Sequence, residues 1–405
     1  MRNSRQRETE LTALTDPYVR AAVRRCGVPL ISNTGLSGGG DQGSGRGTEG
    51  LVRRIMQPGT RNPEPGTEMD PREVVIAADI GGTTVSAGIV GRDGAVLAQR
   101  QVPTYDQERG GGVLENILGL LEDMPWEVPG PAAILGAGIG APGNVDVAKG
   151  RIGEDIQNIP ELKGVELGTL VAARLGVPVV VDNDVNVLAL GELAFGAARG
   201  ARNFILLCIG TGVGGGIVLN GQIVRGASGY GGEVGHMAVE PEGRPCFCGS
   251  RGCLKTYLSG PDLAAQAREA LVVAPFPRYR ALAGGDISAI RAEHVFQAAR
   301  EGDPSAQVIV DRAARVLGVA LGNLINALNP ELILLGGGVM AAADLLLEPA
   351  REWARRYAFS AAFGAAKIAL ATFDKQSGIK GAAALFFAER PAALGQSAPL
   401  PRGGG

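Results

Sequence analysis

Glu73–Val102, EVVIAADIGGTTVSAGIVGRDGAVLAQRQV, decides the fold class. An apolar strand (VVIAADI) runs into a Gly81-Gly82-Thr83-Thr84 turn, a second strand (VSAGIV), an Asp93-Gly94 turn and a third strand (AVLAQRQV). Asn203–Arg225, NFILLCIGTGVGGGIVLNGQIVR, repeats that grammar. It reads as a strand (FILLCI), a turn over residues 210–215, a strand (GIVL), an Asn220-Gly221 turn and a strand (QIV). Asp-Gly and Asn-Gly between apolar runs are the strongest short-range hairpin signals. A meander opening on a Gly/Thr loop, used twice in one chain, predicts two related α/β domains facing each other.

Working outward, Gly168–Leu175 and Asn186–Ala198 carry helical periodicity and supply crossovers, and Ala313–Ala327 predicts an amphipathic helix. That helix leads through Pro330 to a buried strand, ELILLGGG. Residues 1–72 are too rich in Gly, Pro and charge to bury a core, apart from a short helix-like piece at Asp16–Arg25. They are expected to be a disordered extension, with Met69 as an alternative start. Residues 391–405 are expected to be a loose tail. The expected division is a first α/β domain over 73–183 and a second over 184–390, whose last segment is free to pack back on the first. The net charge of −2 gives no reason to expect nucleic-acid or membrane partners. No apolar run reaches the roughly 18 residues a membrane helix needs, and the charged start MRNSRQRETE is no signal peptide. A cytoplasmic protein is expected.

Gly210, Gly212 and Gly215 match G-x-G-x-x-G, but a strand follows where a dinucleotide fold requires a helix. No G-x-x-x-x-G-K-[ST] loop is present either. What remains is one Gly/Thr loop per domain, whose unobstructed N–H groups, with Thr83, Thr84 and Thr211, suit phosphate oxygens. Asp79, at a strand's end two residues before the first loop, is placed to anchor Mg²⁺ through water, although a turn-capping role is the common alternative. Of two histidines, His294 lies in a helical stretch and reads as a surface residue, so acid–base work falls to a carboxylate. In PVVVDNDVNVLALGE (Pro178–Glu192) a buried strand delivers Asp182-Asn183-Asp184 to its carboxyl end. Asp184 is placed to take a hydroxyl proton and Asn183 to bind the same substrate. The plainer expectation is that one of these acids caps the following helix.

Three of the five cysteines and the second histidine sit in Glu233–Cys253, EVGHMAVEPEGRPCFCGSRGC. His236, Cys246, Cys248 and Cys253 are the donor set of a closed tetrahedral structural zinc site. Disulfides are disfavoured, because only Cys26 and Cys208 remain and Cys208 lies in a strand-like apolar run.

DIGGTT from Asp79, GIGAPGNVD from Gly138, NDVNV from Asn183, GTGVGGGI from Gly210, E-x-G-H from Glu233, CFCGSRGC from Cys246, NPELILLGGGV from Asn329 and GAAAL from Gly381 occur in one order. In this combination Val74–Phe387 resembles the ROK family, the sugar kinases and sugar-responsive repressors of the actin-like ATPase superfamily. The resemblance implies two actin-like, ribonuclease H-like α/β domains around a central cleft, with a small zinc loop. It implies Asp184 as general base, and Asn183, Glu233, His236 and Asn158 as sugar ligands, with His236 also on zinc. Asp79, Gly81, Gly82, Thr83, Thr84, Gly210, Thr211, Gly212 and Gly214 would meet ATP phosphates and Mg²⁺. Gly336 and Gly337 would line the adenosine pocket. Domain closure would align the hydroxyl with the γ-phosphate.

The implied activity is ATP-dependent phosphorylation of a hexose, glucose first, with N-acetylmannosamine, N-acetylglucosamine and fructose behind it. A polyphosphate-dependent enzyme is disfavoured by the zinc loop. A sugar-sensing regulator is the alternative, weakened because residues 1–70 lack the apolar helices of a winged helix. A homodimer or homotetramer is expected. One position departs from the family pattern: Lys255 stands where a sugar-contacting Glu is usual, which inverts the hydrogen-bond demand there. It leaves open a different substrate, a weaker affinity or an outward-turned side chain.

Overall fold

The computed structural model describes residues 72–105, 112–127, 132–156, 158–271 and 277–389. The expected extension with its helix-like piece, Met69 and the expected tail lie outside the described residues.

The first meander is β1 (Arg72–Ile80), β2 (Thr84–Gly91) and β3 (Val96–Pro103), all antiparallel. Asp93 Oδ1 accepts the Ala95 N–H and Gly94 takes φ +81°, so the Asp-Gly pair closes the second hairpin. Helix α1 (Val113–Asp123) crosses to β4 (Ala132–Ala141), which adds parallel to β1. After the small ribbon β5–β6 (Val145–Asp146, Arg151–Ile152) and helix α2 (Leu167–Leu175), β7 (Val179–Asn183) adds parallel to β4. The sheet order is β3-β2-β1-β4-β7.

Helix α3 (Asp184–Phe195) leads to the second sheet, which is built the same way. Its meander is β8 (Phe204–Ile209), β9 (Val213–Leu219) and β10 (Gln222–Ile223), closed by Asn220 and Gly221 at φ 55° and 79°. A long excursion holds the cysteine loop, α4 (Lys255–Leu258), α5 (Gly260–Ala270), α6 (Arg278–Leu282), α7 (Ala292–Arg300) and α8 (Pro304–Leu328). Then β11 (Leu332–Gly336) joins β8 in parallel. Beyond α9 (Ala343–Tyr357) and α10 (Ser360–Ala365), β12 (Lys367–Leu370) joins β11 in parallel. The order β10-β9-β8-β11-β12 is that of the first sheet, strand for strand.

Residues 213–215 were expected in a turn but pair with β8 as part of β9. A Cβ at Gly216 would press on Ala189 and one at Gly214 on Val185, so these glycines let α3 lie close on the strand. Helix α3 packs on both sheets: Val187 and Leu190 join the cluster of Val75, Ala77 and Val180, while Ala189 joins Phe204, Leu206 and Val218. The last helix, α11 (Ser377–Glu389), covers the same face of the first sheet through Ile379, Ala382 and Phe386. Helices α3 and α11 cross at Gly191 and Gly381, where a Cβ on the former would lie 3.0 Å from the latter's Cα. Strand β1 is therefore apolar on both faces, with Val74, Ile76, Ala78 and Ile80 turned to α1 and α2. No described helix is long and apolar enough to cross a membrane.

Candidate active site and metal centre

Strand alternation places Asp79 on the face of β1 that carries Val75 and Ala77, towards α11. There its carboxylate rests against the backbone of Gly378, where a Cβ would clash. By the same alternation Cys208, next to last in β8, shares a face with Phe204 and Leu206, towards α3. Asp184 opens α3 between them. Burial pushes its carboxyl up to about 7, helped by the charges of Asp79 and Glu233 and opposed by hydrogen bonds from the Val185 N–H and Asn183. Burial raises Asp79 to about 6. Cys208 is pushed up to about 12 by burial and by Asp184 and Asp79, so its thiol stays protonated. The Asp79 charge reaches both Asp184 and Cys208, which places the three side chains at one polar pit.

The helix cap expected of an acid belongs to Asn183. Its Oδ1 accepts Val185 N–H at 2.9 Å and Asn186 N–H at 3.2 Å, and its Nδ2 donates to Gly143 O at 2.9 Å. An amide caps without placing a second charge beside Asp184. The other histidine, His294, takes the Arg291 N–H on Nδ1 at 3.3 Å and lies on α7.

Both Gly/Thr loops flank this pit at the carboxyl ends of their strands. The first is a tight turn with Gly81 N–H on Thr84 O at 2.9 Å, and Thr83 and Thr84 are exposed. Asn158 packs against it, 3.3 Å from where a Gly82 Cβ would sit. In the second, Gly210 N–H meets Gly212 O at 2.9 Å, and a Cβ on either glycine would project into open space. Gly214 is not in the loop but in β9. Beyond the second loop opens a cavity of about 880 Å³. Gly210, Thr211, Pro261, Phe296, Gln297 and Gly338 are among its walls. Gly336 and Gly337 lie beneath it: Gly336 is covered by Phe373, and Gly337, at φ +91°, presses on the Ile209 backbone. The lining begins at Gly338.

His236 ends a single helical turn, Val234–His236, just after Glu233. Its ring and the three loop thiols bring one donor atom each to within 4.8 Å of one another. Cys246 Sγ lies 3.6 Å from His236 Nδ1 and Cys248 Sγ 3.7 Å from Cys253 Sγ. A tetrahedral ion with metal–sulfur bonds of about 2.3 Å and metal–nitrogen bonds of about 2.0 Å has edges of about 3.5–3.8 Å between donors. The donor chemistry and spacing therefore fit a four-coordinate soft-metal site. The loop is fastened from outside by Glu240, which accepts Arg312 at 2.6 Å and Arg315 at 2.7 Å from α8.

Lys255 is compensated within the chain. Its Nζ pairs with Asp262 Oδ2 at 3.2 Å and lies 4.6 Å over the Phe247 ring, which in turn meets His236 edge-on. Sequence reasoning missed the cavity walls on α5 and α7, because they are assembled from residues far apart in the chain. It also missed two contacts between the halves: Asp182 with Arg225 at 2.8 Å, and Tyr230 O–H on Asp155.

The chain is similar to known proteins over most of its described length. Residues 75–389 match the ROK family. The chain is 38% identical to a glucokinase of Halalkalibacterium halodurans over 76% of this chain and 92% of that protein. It is 36% identical to a glucokinase of Thermotoga maritima over 78% of this chain and 98% of that one. The crystal structure of a ROK family glucokinase from Streptomyces griseus, in complex with glucose and AMPPNP, matches with a TM-score of 0.65 at 33% identity. That match covers 77% of this chain and 98% of that one. The doubled α/β sheet is that of the actin-like ATPases, and the chain belongs to the ROK family.

Proposed function

We propose that the protein is an ATP-dependent sugar kinase that phosphorylates a hexose hydroxyl, with glucose to glucose 6-phosphate the leading reaction. The observation that carries this reading is Asp184, a carboxyl held near neutrality between two open Gly/Thr loops. A base whose pKa sits near the working pH is ionised enough to accept a proton and basic enough to keep it. The glucokinase relatives name the reaction class.

In this reading Asp184 accepts the hydroxyl proton while that oxygen forms its bond to the γ-phosphorus. The bond from phosphorus to the bridging oxygen breaks and ADP leaves. The N–H groups of Gly81, Gly82, Gly210 and Gly212, with Thr83, Thr84 and Thr211, hold phosphate oxygens. Asp79 would hold Mg²⁺, which would neutralise phosphate charge, and the nucleoside occupies the cavity above Gly338. Asn183, Asn158, Glu233 and His236 bind sugar hydroxyls. With Nδ1 of His236 facing Cys246, Nε2 is the nitrogen left to meet the sugar. His236, Cys246, Cys248 and Cys253 would hold a zinc ion, which would supply a cross-link fixing the Glu233–His236 turn. Closure of the two halves, already touching at Tyr230 and Asp155, excludes water from the transfer.

The test is sugar-dependent ADP release with Mg-ATP across hexoses and N-acetylhexosamines, with Asp184→Ala as the blank. Turnover on one sugar that vanishes in the blank establishes the kinase and names its substrate. A folded, metal-loaded protein that turns over none of them sinks the proposal.

A further inference from the structure

The side chain next but one before Asp184 is more deeply buried than Asp184 itself. Asp182 is 1% exposed, and both of its oxygens are engaged. Its Oδ1 accepts the Asn183 N–H at 2.7 Å and Asn186 Nδ2 at 3.0 Å, so this oxygen is tied into the strand-to-helix turn. Its Oδ2 accepts Arg225 Nε at 2.8 Å. The other arm of that guanidinium donates to Glu389 at 2.9 Å, on the last turn of α11. Arg225 lies two residues past β10, and its carbonyl accepts the Gly231 N–H at 2.8 Å. It therefore opens the loop that leads to Glu233. One planar fork thus ties together three segments: the end of β7 with the start of α3, the end of α11, and the root of the Glu233 loop.

A guanidinium suits this task because its donors are fixed in one plane, whereas an ammonium is a point charge on a flexible stem. Stability alone does not require the pair, since a well-packed neutral pair serves as well as a buried ion pair. What the pair adds is a fixed register for the peptide that carries Asp184.

We propose that Arg225 is a positioning residue for the transfer step, clamping through Asp182 the turn that presents Asp184; this rests on the reading of Asp184 as the base. Displacement of a reacting group by a fraction of an ångström lowers turnover far more than it lowers binding.

The experiment compares Arg225→Lys and the neutral pair Asp182→Asn/Arg225→Met with the wild type in kcat, both KM values and thermal midpoint. Arg225→Lys keeps a cation beside Asp182 and so protects the fold, and the double variant removes both charges together. The expected result is kcat down on the order of tenfold to a hundredfold in both, with KM for nucleotide and sugar within about twofold. Loss of kcat is expected to persist where the midpoint equals that of the wild type. Wild-type kcat in either variant at a wild-type midpoint overturns the proposal, because the pair would then serve stability alone. Asp184→Asn, run in parallel, separates the two readings. If it retains turnover, the base assignment itself fails. If it is inactive while the Arg225 variants are fully active, only the clamp fails.

Discussion

The two sheets share strand order and direction, yet their matching loop entrances differ in chemistry. β1 ends Asp79-Ile80-Gly81-Gly82-Thr83, and β8 ends Cys208-Ile209-Gly210-Thr211-Gly212. Alternation sends both Asp79 and Cys208 into the same polar pit, one as a titratable carboxylate and the other as a thiol that burial keeps neutral. One backbone frame thus offers a carboxylate on one side only, the one proposed to anchor Mg²⁺. With Asp184 and Glu233 already nearby, a further acid at residue 208 would raise every carboxyl in the pit. The asymmetry keeps Asp184 ionisable near neutral pH.

Removal of the proposed base is the strongest test of that view. Asp184→Asn is expected to lower kcat by roughly 10²–10⁴-fold, read as sugar-dependent ADP release. It is also expected to stabilise the protein in a pH-dependent way. The folded carboxyl titrates at about 7 against an ordinary value of 3.8, so its stability contribution is full below the lower value and is lost as pH rises through the upper one. The variant escapes that loss. Its thermal midpoint should exceed the wild type's at pH 8, by on the order of 5 °C, and should match it at pH 4. The wild type's kcat should fall as pH drops below about 7. A pH-independent difference in midpoint would refute the assigned burial cost.

Making the two entrances alike is the second test. Cys208→Asp places a second carboxylate opposite Asp79. At pH 7 kcat should drop about tenfold, with the acid limb of the pH profile moved upwards as the added charge holds the proton on Asp184. Cys208→Ser, neutral and similar in size, should keep most activity. Equal losses in both would mean that packing, not charge, explains the thiol.

A third contrast sets the metal loop against the phosphate loops. All four donors of the metal site lie within 18 residues of chain, from His236 to Cys253. Cys248→Ala or chelation should release one equivalent of metal and raise sugar KM by about tenfold or more. Nucleotide binding should be little changed, because the cavity is built from other segments. Nucleotide affinity lost in parallel would show that the loop supports the whole second half.

What was legible in the sequence follows the same division between local and distant chemistry. The two meanders were readable because apolar strands and Asp-Gly or Asn-Gly turns are local signals, and the metal loop because its donors are neighbours. The Asp182–Arg225 pair spans 43 residues and Tyr230–Asp155 spans 75, so neither leaves a pattern in any window of sequence. Gly214 was misplaced for a related reason. Glycine marks a sharp turn and a close approach of packed elements with the same letter, and only the position of α3 separates the two. The cap on α3 fell to Asn183 because Asp184 is buried among acids, where a second capping charge would be costly.

Lys255 gives the smallest expected effect and the finest test. Its charge is matched by Asp262 and by the face of the Phe247 ring, so an anionic sugar is not needed to explain it. Lys255→Glu alone would set two carboxylates against each other and confuse specificity with repulsion. The informative variant is Lys255→Glu/Asp262→Asn, which reverses the residue 255 charge while removing its partner. If Lys255 faces only Asp262, sugar KM should stay within about threefold of the wild type across the hexose panel. A gain for one sugar over the others would instead place residue 255 against the bound ring. The metal loop would then take part in selecting the substrate, beside the proposed sugar ligands Glu233 and His236.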